Sequence, residues 1–208
     1  MNAPTRVAVF GGTFDPPHVG HRIVATDVVT ALSLDRLIVV PAAHPPHRET
    51  TLPGDVRLAL TRRAFAPNPR IEVSDIEFRR EGPSYTVETL EQIRAARPDD
   101  RLFLVIGSDQ FEGFGEWREP ERIAELAELA VMRRGGGRAT ADGRFPFRPV
   151  DVTRVDLSST EIRRRLGAGR SIRYLVPDAI HSEVLRAWDE LDTAGETMRY
   201  ETGYETRC

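Results

Sequence analysis

Gly11-Gly12-Thr13-Phe14-Asp15-Pro16-Pro17-His18-Val19-Gly20-His21 is the stretch on which the reading of this chain turns. Ahead of it, Arg6 to Phe10 (RVAVF) is short, apolar and rich in β-branched residues, the pattern of a buried strand. Behind it, Ile23, Val24, Val28 and Leu32 recur at helical spacing between Val19 and Leu34, and Pro17 stands where a helix start tolerates proline. Leu37 to Val40 (LIVV) then reads as a second buried strand. Strand, glycine loop, helix and strand make one βαβ unit of a parallel sheet, and open α/β sheets bind ligands where such strands end.

Glycines at that place let backbone N–H groups approach a phosphate, and the helix N-terminus adds partial positive charge. His18 and His21 lie three apart in the first helical turns, so both imidazoles project from one face toward the same mouth. Gly20 between them leaves room for a bulky ligand. No Gly-Lys-Ser/Thr follows, so the loop is not a Walker loop, and the spacing is not Gly-x-Gly-x-x-Gly. A zinc pair would need a third ligand of suitable spacing, and none stands out. The plain alternative is a capped helix whose histidines are only local hydrogen-bond partners.

Farther out, the alternation continues. Val56 to Phe65, Tyr85 to Ala96 and Glu121 to Leu126 read as helices; Ile71 to Val73, Leu102 to Ile106 and Leu129 to Met132 read as strands. Gly135 to Pro149 reads as an exposed loop, Val150 to Val155 as a last strand, and Ser159 to Leu166 and Ala179 to Leu191 as closing helices. The expected fold is α/β, a Rossmann-like doubly wound parallel sheet with a C-terminal helical segment. One domain is expected over residues 1–192, with a polar, aperiodic and mobile tail over 193–208.

Composition narrows the classes. Net charge is −3, which argues against a general nucleic-acid binder. No apolar run nears the ~20 residues that span a bilayer, and the opening residues lack a secretory signal's apolar core, so no membrane partner and a cytoplasmic protein are expected. The one cysteine, Cys208, leaves no internal disulfide and no cysteine metal cluster. All 29 basic residues are arginine, a bias that GC-rich coding explains. The oligomeric state stays open, a homo-oligomer included.

A second phosphate-type segment lies near the other end: Asp156-Leu157-Ser158-Ser159-Thr160-Glu161-Ile162-Arg163. Ser158 suits an N-cap with Glu161 at the capping-box position, and a Ser/Thr-rich helix start beside an arginine is also a phosphate cradle.

With both segments in view, the chain resembles the bacterial nicotinate-nucleotide adenylyltransferases of the HxGH nucleotidyltransferase superfamily. HxGH is realised as His18-Val19-Gly20-His21 and the S-S/T-x-I-R motif as Ser159-Thr160-Glu161-Ile162-Arg163, after Ser158. Gly82 to Leu90 resembles the family's G-x-S-Y-T-x-x-T-L, Ile106-Gly107-Ser108-Asp109 its G-x-D segment, Trp117 with Ile123 its tryptophan motif, and Tyr174-Leu175-Val176-Pro177 its Y-L-V-P. The resemblance runs from about Arg6 to about Leu185. It implies that His18, His21 and Arg163 act on the triphosphate, and that Gly11, Gly12, Thr13, Phe14, Gly107, Asp109, Ser158, Ser159 and Thr160 hold ATP. Tyr85, Thr86 and Trp117 would hold the pyridine mononucleotide, with Mg²⁺ accompanying ATP and no metal ligands assigned on the chain. After Pro45-Pro46-His47 the family usually has a lysine that contacts phosphate; here it is Arg48, which keeps the charge with a different geometry and is expected to join Arg163 in neutralising phosphate charge.

The expected reaction joins nicotinate mononucleotide to the AMP part of ATP. Other readings stay open: nicotinamide mononucleotide or both mononucleotides as acceptor, phosphopantetheine, a cytidylyltransferase's alcohol phosphate, or a nucleotide-sensing module without turnover.

Overall fold

The computed structural model describes residues 4–46, 49–134 and 143–201. Six strands are described: β1 (Arg6–Gly12), β2 (Arg36–Pro41), β3 (Ile71–Val73), β4 (Arg101–Gly107), β5 (Glu128–Arg134) and β6 (Phe147–Val152). All pair in parallel, in the order β3-β2-β1-β4-β5-β6. The helices are α1 (Val19–Ala31), α2 (Gly54–Phe65), α3 (Thr86–Ala96), α4 (Ser108–Glu112), α5 (Pro120–Leu126), α6 (Ser159–Gly167) and α7 (Asp178–Glu201), with short 3-10 turns at Ile76–Arg79 and Phe114–Glu116. The doubly wound parallel sheet expected from the sequence is therefore present.

Both sheet faces are covered, which is why the central strands read as unbroken apolar runs. Alternate side chains part to opposite sides. Ala8, Phe10, Phe103 and Val105 join a core with residues of α1, α2, α6 and α7. Val7, Val9, Leu102, Leu104 and Ile106 join another with α3, α4 and α5. The winding reverses between β1 and β4, so their C-terminal ends, Gly11-Gly12 and Gly107, flank the crevice such sheets leave for a ligand.

Three boundaries differ from expectation. α1 ends at Ala31, not Leu34, because Ser33 adopts a left-handed backbone with φ 48°, yet Leu32 and Leu34 still bury. β6 begins at Phe147, inside the segment read as loop; β6 is an edge strand, where a proline such as Pro149 is tolerated. The polar stretch from Thr193, expected as an aperiodic tail, continues α7 to Glu201. A helix already nucleated gains one backbone bond per added residue, and needs no apolar stripe to do so. The rest of the tail, 202–208, and loop residues 135–142 lie outside the described residues.

Phe103 is fully buried on central β4, its ring between the guanidiniums of Arg6 and Arg101 at 5.1 and 5.2 Å. Phe103→Ala should lower unfolding free energy by about 3–5 kcal/mol, measured by urea denaturation.

Candidate active site

The loop leaving β1 is built around its own side chains. Phe14 takes a left-handed backbone (φ 49°) and turns its ring inward, against Phe10 and Phe65 on one side and His21 at 4.9 Å on the other. A side chain at Gly12 would meet that ring at 2.9 Å, so glycine is required there. Nothing crowds the Cα of Gly11, which lines the crevice. Phe14 thus backs His21 from the core.

His18 stands at the N-cap of α1 and is buried; His21 lies one turn on, its ring stacked on that of His18 with centroids 3.7 Å apart. The His18 backbone N–H donates to Nδ1 of His21 at 3.2 Å. An accepting Nδ1 puts the proton of a neutral imidazole on Nε2, which is then a donor. Gly20 leaves room for the His18 ring, which a Cβ there would crowd at 3.0 Å. The start of α1 is also tied down by the Val19 N–H, which donates to the carbonyl of Leu175. That gives Tyr174-Leu175-Val176-Pro177 a structural task.

The second segment arrives at the same place. The Ser159 hydroxyl donates to the carbonyl of Pro16 at 2.9 Å, and Nη1 of Arg163 donates to the carbonyl of Asp15 at 2.7 Å. The tips of α1 and α6, from segments about 140 residues apart in the chain, are thus stitched together. Ser158 caps α6 by accepting from the Glu161 N–H at 3.2 Å. The capping box is only half made, because the Glu161 carboxylate binds Arg164 and Arg165 instead. Hydrogen bonds from Arg164, then Arg165, bring the pKa of Glu161 down to about 2.

Beside this junction is a cavity of about 150 Å³ lined by Gly11, Gly12, Thr13, Ala42, Glu77, Ser84, Thr86, Thr89, Gln110 and Trp117 over an apolar floor from β1 and β4. Thr86 opens α3, and the Tyr85 side chain makes no capping bond there. Trp117 packs on Phe114 at 5.3 Å and lines the cavity with its half-buried indole. Tyr85, expected beside Thr86, does not line the cavity; its ring lies under the Arg118 guanidinium at 4.4 Å. Asp109, in the first turn of α4, folds back over Gly107 so closely that any Cβ at 107 would collide with its carboxylate. Arg48 lies outside the described residues.

Sequence reasoning missed the residue that assembles all this. Arg57 on α2 is 1 % exposed, and its guanidinium donates to four carbonyls: Thr13 at 2.8 Å, Ala42 at 2.7 Å, Ala43 at 3.1 Å and Leu52 at 3.2 Å. Burial lowers its pKa and the Asp15 carboxylate opposes that. Asp15 in turn accepts from the N–H groups of Thr51 and Leu52 at 2.7 and 2.9 Å. Nothing marks position 57 in a one-dimensional reading; it looks like any arginine on a helix.

A parallel sheet wound in this order, with a glycine turn, two stacked imidazoles and an arginine at the joined tips of two helices, defines an α/β nucleotidyltransferase. The cytidylyltransferase-like family profile matches residues 9–165. A protein of Thermus thermophilus named as a probable nicotinate-nucleotide adenylyltransferase is 44% identical over 175 residues, covering 84% of this chain and 94% of its own. A Rubrobacter xylanophilus protein of the same name is 37% identical over 212 residues, covering 94% and 99%. The solved Plasmodium falciparum nicotinic acid mononucleotide adenylyltransferase, complexed with NaAD, shares the fold at TM-score 0.74 and 19% identity over 90% of this chain and 98% of that one. The chain belongs to the cytidylyltransferase-like family and, within it, to the nicotinate-nucleotide adenylyltransferases. No helix among the described residues is long and apolar enough to cross a membrane.

Arg57→Met should strand four carbonyls and cost about 3 kcal/mol or more, with raised KM for both substrates, checked by denaturation and initial rates. For Glu161 the folded pKa lies below the ordinary 4.5, so its contribution is full above pH 4.5 and fades toward pH 2. Glu161→Gln should therefore flatten the acid limb of a stability profile between those values and leave higher pH unaffected in shape.

Proposed function

We propose that the enzyme transfers the AMP part of ATP to nicotinate mononucleotide, giving nicotinate adenine dinucleotide and pyrophosphate. The observation that carries this is the junction of the two helix tips, where Ser159 and Arg163 bond to the Asp15-Pro16 backbone within reach of the histidine pair. The acceptor's phosphate oxygen attacks the α-phosphorus, the bond from that phosphorus to the α–β bridging oxygen breaks, and pyrophosphate departs. The nucleophile is already ionised at neutral pH, so no general base is required. What remains is alignment and stabilisation of charge on phosphate oxygens.

His21 Nε2–H, His18 and Arg163 supply donors for that charge, with the α1 N-terminus adding its dipole. Arg163 is anchored through Nη1 to the Asp15 carbonyl, and its Nη2 lies 3.5 Å from the Thr160 hydroxyl, which sets its direction. Gly11, Gly12 and Thr13 let the triphosphate approach the backbone, Ser158 to Thr160 flank it at the head of α6, and Asp109 above Gly107 suits ribose hydroxyls. Phe14 contributes by holding His21 in place, and Arg48, outside the described residues, would add positive charge. ATP enters as its Mg²⁺ complex, and the ion neutralises phosphate charge when bound.

The cavity beside Trp117 takes the pyridine ring, which the indole would stack against. Helix N–H groups at Thr86 favour a carboxylate there, which supports the acid over the amide as acceptor.

His21→Ala should reduce kcat by ~10²–10³ with the fold intact, the loss typical of one transition-state donor. Pyrophosphate release from ATP and either mononucleotide measures it. Near-normal turnover in the variant, or none in the unaltered enzyme with any mononucleotide, sinks the assignment.

A further inference from the structure

Glu77, Arg80 and Thr89 form a buried polar network beside the cavity, and no step of the reaction above uses them. Glu77 and Thr89 line the cavity and are 7% and 3% exposed. The Thr89 hydroxyl donates to Oε1 of Glu77 at 2.6 Å. Nη2 of Arg80 donates to the Thr89 hydroxyl oxygen at 2.9 Å and to the Tyr85 carbonyl at 3.1 Å. Three further atoms, Oε2 of Glu77 and Nε and Nη1 of Arg80, are buried and make no hydrogen bond among the described residues. Polar groups left so incompletely satisfied stabilise a fold poorly, and apolar side chains of similar volume often do as well or better.

Position gives the network a reason. The Tyr85 carbonyl and the Thr86 N–H belong to one planar trans peptide, so they point in opposite directions. Arg80 and the Thr89 backbone N–H, at 3.3 Å, both donate to that carbonyl. Holding the carbonyl fixes where the Thr86 N–H points, and as the first residue of α3 Thr86 has no acceptor within the helix. Net charge is not the source of selectivity here. Arg80 and Arg118 stand against Glu77, Glu88 and Glu119 at 3.4 to 3.7 Å, two cations against three anions, so no positive charge is left over to draw a carboxylate. What remains to favour a carboxylate is an oriented amide dipole. A charged acceptor gains roughly twice what a neutral one does from such a donor, so a misdirected N–H penalises a carboxylate more than a carboxamide.

We propose that Arg80, steadied by Glu77 through Thr89, is a positioning residue that aims the Thr86 N–H at the pyridine carboxylate and so sets the preference for the acid over the amide. This rests on the nicotinate reading of the acceptor.

The test uses the full chain and three variants: Thr89→Val, Arg80→Lys, and Glu77→Leu combined with Arg80→Met. For each, kcat and KM are measured with nicotinate mononucleotide, nicotinamide mononucleotide and ATP, alongside Tm. The acid-over-amide ratio of kcat/KM should fall about tenfold in the double variant, carried by KM for the acid, as loss of a charge-assisted hydrogen bond implies. KM for ATP should hold and Tm should be unchanged or higher. Arg80→Lys, which can still donate to the Tyr85 carbonyl, should keep part of the ratio. Equal losses for both acceptors together with a raised KM for ATP would mark a structural role and overturn the proposal, as would an unmoved ratio. If the double variant does not fold, the ratio in Thr89→Val decides. An unaltered enzyme inert toward nicotinate mononucleotide would bring down the functional reading itself, and this one with it.

Discussion

A guanidinium buried among carbonyl oxygens holds the cleft together. Arg57 reaches from α2 to the ends of β1 and β2 and to the loop before α2, and binds a carbonyl from each. Those carbonyls belong to the loops that follow β1 and β2 and precede α2, and the arginine that binds them is itself almost wholly withdrawn from water. One rigid five-donor fork answers the whole set, which a lysine's single point of charge could not do. Asp15 completes the arrangement by balancing the charge and holding Thr51 and Leu52. The positions of Thr13 beside the phosphate loop and Ala42 beside the cavity are therefore set by the same side chain.

Around that fixed point, two kinds of polar cluster divide the labour. At the helix tips, hydroxyls and arginine are spent on stitching α6 to the β1 loop, and the imidazoles stack with Phe14 behind them. By the cavity, Glu77, Arg80 and Thr89 are incompletely satisfied and control a single peptide plane. The first cluster trades polar groups for geometry at nearly full satisfaction. The second tolerates some instability, a common feature of sites that discriminate between close analogues.

The frame was legible because its signals are local. Short β-branched runs ending in glycine at Phe10-Gly11 and Ile106-Gly107 are strands by composition, and the order of motifs along the chain suffices for the family. His18 and His21 were legible as a pair because three-residue spacing on a helix is a geometric statement. Arg57, Glu77 and Arg80 were not, because burial of a charged side chain depends on carbonyls and hydroxyls gathered from distant segments. Tyr85 was legible by its motif, but not the placement of its ring under Arg118 or of its carbonyl against Arg80, since both depend on side chains outside the motif. The end of α7 was misread since apolar periodicity detects helices that bury a stripe, not polar turns that merely extend one.

Because the junction of the helix tips joins residues 11–21 to residues 158–163, and α1 leans on Leu175 as well, it does not exist until most of the polypeptide has been made. A nascent chain that has released β1 through β5 from the ribosome still lacks that junction, and lacks the residues of α6 and α7 that complete one of the two cores. Assembly of the cleft then comes as a late event in biogenesis, and it closes a loop between the first and last quarters of the molecule.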